Sequence, residues 1–458
     1  MAGLADSAAA SPLLRLIAKT AIGLHQWLTA SLDASLRTTA DALELARTTG
    51  VHVWDFHISL HSAAAHLSNG DVEAASSVLN TIARGLQKAR PFDLLYYDFL
   101  VAWRALLRGD LPQASAAQKR SLDATVATGI PLTEAQLRLL GVWIEFRRTP
   151  APSVDVLCEL ETIHRMARQT RSRLVEFSAY LAEAHFHFLS SRNREGARCL
   201  ANAMRLGREN GYRNIYAWQR PMIAELCVRA VAADIESEYV QTLVRERGLA
   251  SERVPVEVDA WPWPVKVVTL GRFEVLREGH PIHFTGKAQK KPLALLKALI
   301  ALGGENVGES RLADLLWPDA DGDAAQQALS TTLHRLRQLL GHEAAIRRQA
   351  GRLSLDRRTC WVDLWALVHL LTQAERAIAG SRPGIQAWTQ SAQWTERAMD
   401  IPPCSEECCR ALMQAYQRLG RRDEALAVYH RCSRHLEEHL GTRPSPQTLV
   451  LLEVLKST

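Results

Sequence analysis

A repeated pattern of helix, Gly-Asp turn and Ala-rich helix constrains the fold of the first half of this chain. The segments SAAAHLSNGDVEAASSVL (62–79) and VAWRALLRGDLPQASAAQ (101–118) share the pattern, and their glycines, Gly70 and Gly109, are 39 residues apart. Glycine readily ends one helix, and the aspartate that follows can cap the next. The spacing therefore predicts pairs of helices that recur along the chain.

A period near 40 residues is typical of a tetratricopeptide-like (TPR-like) solenoid, in which stacked helix pairs bury a continuous core. A weaker copy of the pattern (181–204) has its turn near Asn193, about two further periods along. An irregular helical bundle is the alternative, but the recurrence of the Gly-Asp turn at matching positions favours the solenoid. We predict that residues 1–250 form a TPR-like region that senses a signal or binds a partner.

The composition changes after residue 250, where the helical pattern stops. A Pro- and Trp-rich linker is predicted at 251–264, since proline ends helices. A mixed α/β domain is predicted at 265–358 and a second TPR-like helical domain at 359–458. In that last domain, the segment 410–432 repeats the helix, Gly turn and Ala-rich helix. The chain is thus predicted to be mainly α-helical.

The order of elements in the middle domain indicates a winged helix-turn-helix. The stretch 265–284 alternates and is rich in Val and Phe, which predicts two or three short antiparallel strands. Helices are predicted at 286–302, 309–317 and 323–340, and a hairpin at 345–356 with Ala350-Gly351 at its turn. Three helices followed by a β-hairpin is the winged-helix plan, in which the third helix enters the DNA major groove.

The third helix has two contrasting faces. Its leucines recur at helical spacing and predict a buried stripe that consists of Leu329, Leu333, Leu336 and Leu340. The opposite face carries hydrogen-bonding side chains and almost no acid: Gln327, Thr331, His334, Arg335 and Gln338. A solvated face usually mixes Glu and Lys in pairs. This face is therefore interpreted as a surface that reads bases.

Each side chain of that face has a known use at base edges. Amide side chains can pair with adenine, arginine with guanine, and the threonine methyl with the thymine methyl. We predict base contacts by Gln327, Thr331, His334 and Arg335. Contacts to the DNA backbone, by the wing and nearby cations, are predicted for Lys291, Arg337, Arg347, Arg348 and Arg352. Residues 285–358 hold twelve Lys/Arg against eight Asp/Glu.

Overall composition excludes several classes of protein. The chain has 458 residues and a net charge of +6, which permits nucleic acid as a partner. No apolar run approaches the ~20 residues of a membrane helix, and no secretory signal is recognised. Eight scattered cysteines suit reduced thiols in a cytoplasm. No catalytic motif is found, and CSEECC (404–409) lacks zinc-finger spacing, so we predict no enzyme, cofactor or metal site.

Residues 265–458 resemble the SARP-type bacterial regulators (Streptomyces antibiotic regulatory proteins). The stretches that carry the resemblance are LGRFEV (270–275), GKAQKKPLALLKALI (286–300), LADLLWPDADGDAAQQALSTTLHRLRQLLG (312–341), GRLSLDRRTCWVDLWAL (351–367) and ALMQAYQRLGRRDEALAVYHRCSRHLEEHLGTRPSPQT (411–448). Those regulators join a winged helix of the OmpR/PhoB class to a bacterial transcriptional activation domain. The first 250 residues are similar to the helical-repeat sensor region of MalT-like regulators.

The resemblance implies a cytoplasmic transcriptional activator whose partners are double-stranded DNA and RNA polymerase, with no membrane. It also implies that the acidic loop, Asp319, Asp321 and Asp323, contacts the polymerase, although a solvated capping loop is the simpler interpretation. The partner at the helical repeats is left open between a ligand and a protein. The alternative function is a helical-repeat scaffold whose winged helix binds protein rather than DNA.

Overall fold

The computed structural model describes most of the chain. The described residues are 2–7, 9–149, 153–249, 256, 258–270, 272–282, 290–378, 388–389, 391–393, 395–396, 406–440 and 442–457. Backbone contacts divide the chain into two compact units, Met1–Ser251 and Glu252–Thr458. Each unit is described by itself.

The first unit is helical along its described residues. Its helices are α1 (Ala2–Ala5), α2 (Pro12–Leu28), α3 (Leu32–Thr49), α4 (Asp55–Asn69), α5 (Val72–Ala83), α6 (Pro91–Arg108), α7 (Leu111–Thr128), α8 (Pro131–Arg148), α9 (Asp155–Thr170), α10 (Arg173–Leu189), α11 (Asn193–Asn210), α12 (Arg220–Ala232) and α13 (Ser237–Arg247). The even-numbered helices from α2 to α12 each contact the next even-numbered helix and form one layer. The prediction of a mainly helical, repeat-built region is confirmed.

The Gly-Asp turns have the geometry that the sequence predicts. Gly70 and Gly109 end α4 and α6 with φ values of 83° and 78°, in the left-handed region that glycine adopts at little cost. The side chain of Asp71 accepts a hydrogen bond from the Ala74 backbone N–H at 3.0 Å, and Asp110 caps α7 in the same way. Each turn thus ends one helix and caps the next with two residues.

A non-helical segment, residues 211–219, lies on the even-numbered layer. The Arg213 backbone N–H donates to the Leu28 carbonyl at the end of α2, at 2.8 Å. The Tyr216 ring contacts Trp27 of α2 and Phe99 of α6, with ring centroids 4.5 and 5.6 Å apart. The segment therefore joins helices that are far apart in sequence.

The second unit begins with a four-stranded sheet. Its strands are β1 (Val265–Val268), β2 (Glu274–Arg277), β3 (His280–Pro281) and β7 (Cys360–Val362), in the order β3-β2-β1-β7. The first three strands pair antiparallel, as predicted, whereas β7 pairs with β1 in parallel. Strand β7 is not predicted from the sequence, because a three-residue strand leaves no periodic signal.

Three helices and a second sheet follow the first three strands. The helices are α14 (Lys290–Ala301), α15 (Glu309–Leu316) and α16 (Gly322–Leu340), and the strands are β4 (Val307–Gly308), β5 (Ile346–Gln349) and β6 (Arg352–Leu355). The sheet order is β4-β6-β5, and β5 pairs antiparallel with β6 around Ala350-Gly351. The predicted hairpin is therefore confirmed, with β4 as an additional strand. The start of the first predicted helix, 286–289, lies outside the described residues.

The chain ends in a helical region. Its described helices are α17 (Asp363–Ile378), α18 (Glu406–Arg418), α19 (Arg422–Leu440) and α20 (Pro446–Ser457). Cys408, Cys409 and Cys432 lie in its apolar core, with exposures of 0%, 0% and 2%. Gly420 separates α18 from α19 with a φ of 71°, as the sequence pattern predicts. Among the helices in the described ranges, none combines the length and the apolarity needed to cross a bilayer.

Candidate nucleic-acid interface

The buried face of α16 fixes how this helix is oriented. The four stripe leucines, Leu329, Leu333, Leu336 and Leu340, are at most 3% exposed. They pack in one core with residues of α14, α15 and both sheets. The helix ends at Gly341, whose φ of 67° suits a residue without a Cβ. Since the stripe is buried, the opposite face of the helix must face outward.

The outward face of α16 is exposed along its whole predicted length. Gln327, Thr331, His334, Arg335 and Gln338 are all exposed. Thr331 Oγ1 donates to the Gln327 carbonyl at 3.0 Å, and His334 Nε2 lies 3.0 Å from Gln338 Nε2. These contacts stay within the helix and hold the side chains along its surface. They leave the amide of Gln327 and the methyl of Thr331 available.

Arg335 differs from the other arginines near this helix. Within the described residues it makes no hydrogen bond and no ion pair. It lies about 130° around the helix from the leucine stripe, so its side chain can reach outward without disturbing the core. From Gln327 to Gln338 the face carries no carboxylate. Asp323, one turn before Gln327, is exposed in the first turn of the helix, where the helix dipole favours an acid.

Arg348 of the hairpin is bound to a buried carboxylate. Its Nε and Nη2 donate to Glu309 Oε1 and Oε2, both at 2.7 Å, and Glu309 is only 4% exposed. Gln326 Nε2 of α16 donates to the same carboxylate at 2.7 Å. The hydrogen bonds that Arg348 donates to Glu309 raise the pKa of Arg348 above its ordinary value. Glu309 therefore links the first turn of α15 to both α16 and β5.

The other predicted backbone cations also have partners within the protein. Arg337 Nη2 donates to the Ile346 carbonyl at 2.7 Å and ties the end of α16 to β5. Lys291 Nζ donates to the Leu316 carbonyl at 2.7 Å and lies over the Trp317 ring.

The two remaining wing cations are more exposed. Arg352 Nη1 donates to the Asn306 carbonyl at 2.8 Å, while Arg347 Nε lies 3.7 Å from a carboxylate oxygen of Asp356. Asp356 is 2% exposed, and the hydrogen bond that it accepts from Arg358 lowers the pKa of its carboxyl. From the sequence, all five cations are expected to be available for phosphate. The structure shows that each already has an intramolecular contact, so only their remaining N–H groups could serve DNA.

Two residues that organise this surface, Glu309 and Gln326, are not predicted from the sequence. An acid in the first turn of a helix is ordinarily explained by the helix dipole, and nothing in the sequence links it to Arg348, 39 residues away. The acidic loop residues Asp319, Asp321 and Asp323 are exposed, as a solvated loop requires.

One side-chain cluster of the first unit brings metal-ligating groups together in the part of the chain that the structure describes. Candidate ligand atoms of Glu183, His187 and Cys199 all lie within 4.8 Å of one another. Glu183 also lies 2.9 Å from His164 Nε2. Burial, together with the neighbouring Glu183 carboxylate, raises the pKa of the Cys199 thiol to about 12. The protonated thiol donates a hydrogen bond to Glu183.

Comparison with known proteins points to gene regulation. Residues 324–455 match the family model of the bacterial transcriptional activator domain. The match begins within α16 and extends over the hairpin and the C-terminal helices. Regulatory protein AfsR of Streptomyces griseus is 27% identical over 244 residues, covering 42% of this chain and 24% of AfsR. The matched domain and AfsR are both regulatory by name, and each likeness covers less than half of this chain.

Two solved structures are similar at low TM-scores. EmbR of Mycobacterium tuberculosis, in complex with a low-affinity phosphopeptide, has a TM-score of 0.27 and 18% identity, covering 43% of this chain and 65% of that chain. Yeast Tom70 has a TM-score of 0.18 and 11% identity, covering 98% of this chain and 96% of that chain. At these scores neither likeness bears on the fold or the function. The chain spans about a quarter of the length of AfsR.

Proposed function

We propose that this chain is a cytoplasmic transcriptional activator that binds a specific DNA sequence through a winged helix of the OmpR/PhoB class. In this proposal α14, α15 and α16 are the three helices and the β5-β6 hairpin is the wing. The helical repeats of the first unit sense a small molecule or a partner protein. The acidic loop before α16, together with the C-terminal helices, contacts RNA polymerase.

The outward face of α16 is the observation that carries the proposal. A helix of this length fits the major groove, where each base pair presents a distinct set of donors and acceptors. Gln327, Thr331, His334 and Arg335 supply donors, acceptors and a methyl group on one exposed face. The absence of carboxylates between Gln327 and Gln338 avoids repulsion from phosphates. A face that bound another protein would not need to lack carboxylates.

Arg335 is proposed as the main reader of a base pair. Its guanidinium can donate to N7 and O6 of guanine at once, a pairing worth about 1–3 kcal/mol of discrimination. Arg335 has no hydrogen-bond partner among the described residues, so none of these contacts must be broken before DNA is bound. The wing cations Arg347 and Arg352 would contact phosphates through the N–H groups that remain uncommitted.

Selection of bound DNA from a random pool, with the full chain, tests the proposal. The selected site should bind more tightly than a scrambled site, and its affinity should fall steeply with salt. Arg335→Ala should relax preference at one base pair by about 5- to 150-fold while the melting temperature stays nearly unchanged. Arg376→Ala, at an exposed arginine of α17, is the matched control and should change neither property.

Two results would contradict the proposal. If no sequence is enriched and binding does not depend on salt, α16 does not face DNA, and the scaffold alternative gains support. If DNA is bound but Arg335→Ala leaves base preference intact, then a different surface reads the sequence.

A further inference from the structure

A cavity of about 290 Å³ lies within the first unit. Its walls come from the end of α4, including Ser68, from α6, from the start of α12 and from the end of α13. The segment 211–219 closes one side, because Trp218 and Gln219 belong to the lining. Residues from distant parts of the sequence thus share one small space. Its volume is at the lower end of the range for small-molecule sites and is too small for a folded segment of a partner.

The cavity has an excess of positive charge. Three arginines line it, Arg147, Arg220 and Arg247, against two acids, Asp33 and Glu246. Glu246 is already bound by Arg213, whose Nη1 lies 2.8 and 2.7 Å from the two carboxylate oxygens. Asp33 is therefore the one lining carboxylate not paired by Arg213. Arg147 and Arg220 are exposed, and Arg220 donates to the Gly248 carbonyl. The excess positive charge of the lining favours an anion.

Arg247 is the most constrained of the three. Its guanidinium lies 4.3 Å from the centre of the Trp218 ring, and its Nη2 donates to the Ser68 carbonyl at 2.6 Å. Its Nε is buried and has no hydrogen-bond partner among the described residues. Burial, followed by repulsion from Arg220, lowers the pKa of Arg247 to about 10. A buried donor without an acceptor is costly, and nearly all such groups in proteins are satisfied.

The surroundings of Arg247 are held in place by buried hydrogen bonds. Ser68 Oγ accepts from Trp27 Nε1 at 2.8 Å and from Asn214 Nδ2 at 3.0 Å. These bonds fix Ser68, whose carbonyl in turn fixes Arg247. Trp218 is 4% exposed and presents its ring to the guanidinium. The cation is therefore positioned before any ligand arrives, which lowers the entropic cost of binding.

We propose that this cavity binds a small organic molecule that carries a phosphate or carboxylate group, held by Arg247 and Arg220. A planar guanidinium donates two parallel hydrogen bonds to either anion, and an arginine over an aromatic ring keeps that geometry. The proposal rests on the sensing function proposed for the helical repeats and gives the sensed molecule a chemical class. The cavity volume argues for a metabolite rather than a peptide.

Binding is tested on the full chain without DNA, so a failure here leaves the DNA-binding proposal untouched. Thermal unfolding and titration calorimetry use three probes: inorganic phosphate, glycerol 3-phosphate and citrate. Each is compared with sodium chloride at equal ionic strength. At least one probe should raise the melting temperature by several degrees at saturation. The probe with the highest affinity shows whether the cavity prefers free phosphate, a phosphate ester or a carboxylate.

Variants connect the effect to the cavity. Arg247→Gln should weaken binding of the effective probe at least tenfold, because the stacked guanidinium is lost. Arg220→Gln, at an exposed residue, should weaken binding of the same probe as well. Arg245→Gln is the matched control, because Arg245 is exposed on the same helix and does not line the cavity. The proposal is overturned if no probe acts beyond sodium chloride, or if Arg220→Gln and Arg247→Gln bind like the unaltered chain.

Discussion

Replacing Arg348 by alanine should loosen the hairpin more than any other change at its exposed surface. The substitution leaves the Glu309 carboxylate, which is 4% exposed, with the Gln326 amide as its remaining side-chain donor among the described residues. Two hydrogen bonds of 2.7 Å are lost, and bonds to a charged group contribute about 1.5–3 kcal/mol each. The Arg348 side chain is itself 44% exposed, so water screens part of this attraction. We expect the free energy of opening the hairpin to fall by about 2–3 kcal/mol.

Hydrogen exchange measured by mass spectrometry locates this loss. If the hairpin opens more readily, its backbone amides should exchange about 30- to 150-fold faster, since 1.4 kcal/mol corresponds to a factor of ten. Arg347→Ala is the neighbouring control. Arg347 is 60% exposed and its contact with Asp356 is 3.7 Å long, so exchange should change by less than about threefold. The double variant Arg348→Ala/Glu309→Ala should recover part of the stability, because no carboxylate is left unpaired.

The same experiment separates two roles for Arg348. If it serves mainly as a phosphate contact, alanine should reduce the salt dependence of DNA binding by about one contact and leave hairpin exchange unchanged. Equal exchange in Arg348→Ala and Arg347→Ala would refute the argument from the buried carboxylate.

Three further changes test other parts of the structure. Leu333→Ala should lower the free energy of unfolding by about 2–5 kcal/mol, measured by urea titration. Leu333 lies on the buried face of α16 and is 3% exposed, so its truncation leaves a cavity. Ala350→Gly should stabilise the hairpin by about 0.5–1 kcal/mol and slow its hydrogen exchange, because Ala350 has a φ of 50°. Burial, followed by the charge of His57, lowers the pKa of His61 to about 3. As the pH falls below about 6.5, His61 is therefore protonated in the unfolded chain but stays neutral in the folded one. The free energy of unfolding of the first unit should fall by about 2 kcal/mol by pH 5. His61→Phe should flatten that pH dependence, measured by unfolding at pH 7 and pH 5.

Each of these results has a contrary outcome. An unchanged urea midpoint for Leu333→Ala would mean that the stripe is not a packed core. Faster hairpin exchange in Ala350→Gly would mean that the flexibility of glycine outweighs the relief of backbone strain. An equally steep loss of stability in the His61→Phe variant would assign the pH dependence to other groups.

Local patterns made much of the fold predictable. The leucine spacing of α16 predicts a buried stripe because the 3.6-residue period of a helix is visible in any short window. The turns at Gly70 and Gly109 are predictable for a similar reason, since the cap and the positive φ depend on two adjacent residues. The two-residue turn at Ala350-Gly351 also follows from neighbouring residues alone. Base contacts by Gln327, Thr331, His334 and Arg335 stay predictions.

Contacts between residues that are distant in sequence were not predictable. Pairing of β1 with β7 brings Val265 opposite Cys360, and two strands this short have no distinct composition. The partner of Arg348 is 39 residues away, and Arg247 meets Ser68 across 179 residues. A single sequence shows that a cation exists but not which acceptor the fold brings to it. From the sequence, the wing cations are therefore expected to be free to bind phosphate, whereas in the structure each contacts another group of the protein.

The parallel pairing of β7 also decides where this chain can be divided. Asp363, the residue after β7, accepts hydrogen bonds from the Thr269 and Leu270 backbone N–H groups at 2.7 and 2.8 Å. A fragment that stopped at residue 358, the predicted end of the middle domain, would lack both the strand and this carboxylate. The edge of β1 would then be unpaired and ready to join a second molecule, which favours aggregation. A soluble DNA-binding fragment should therefore extend past Asp363 into α17.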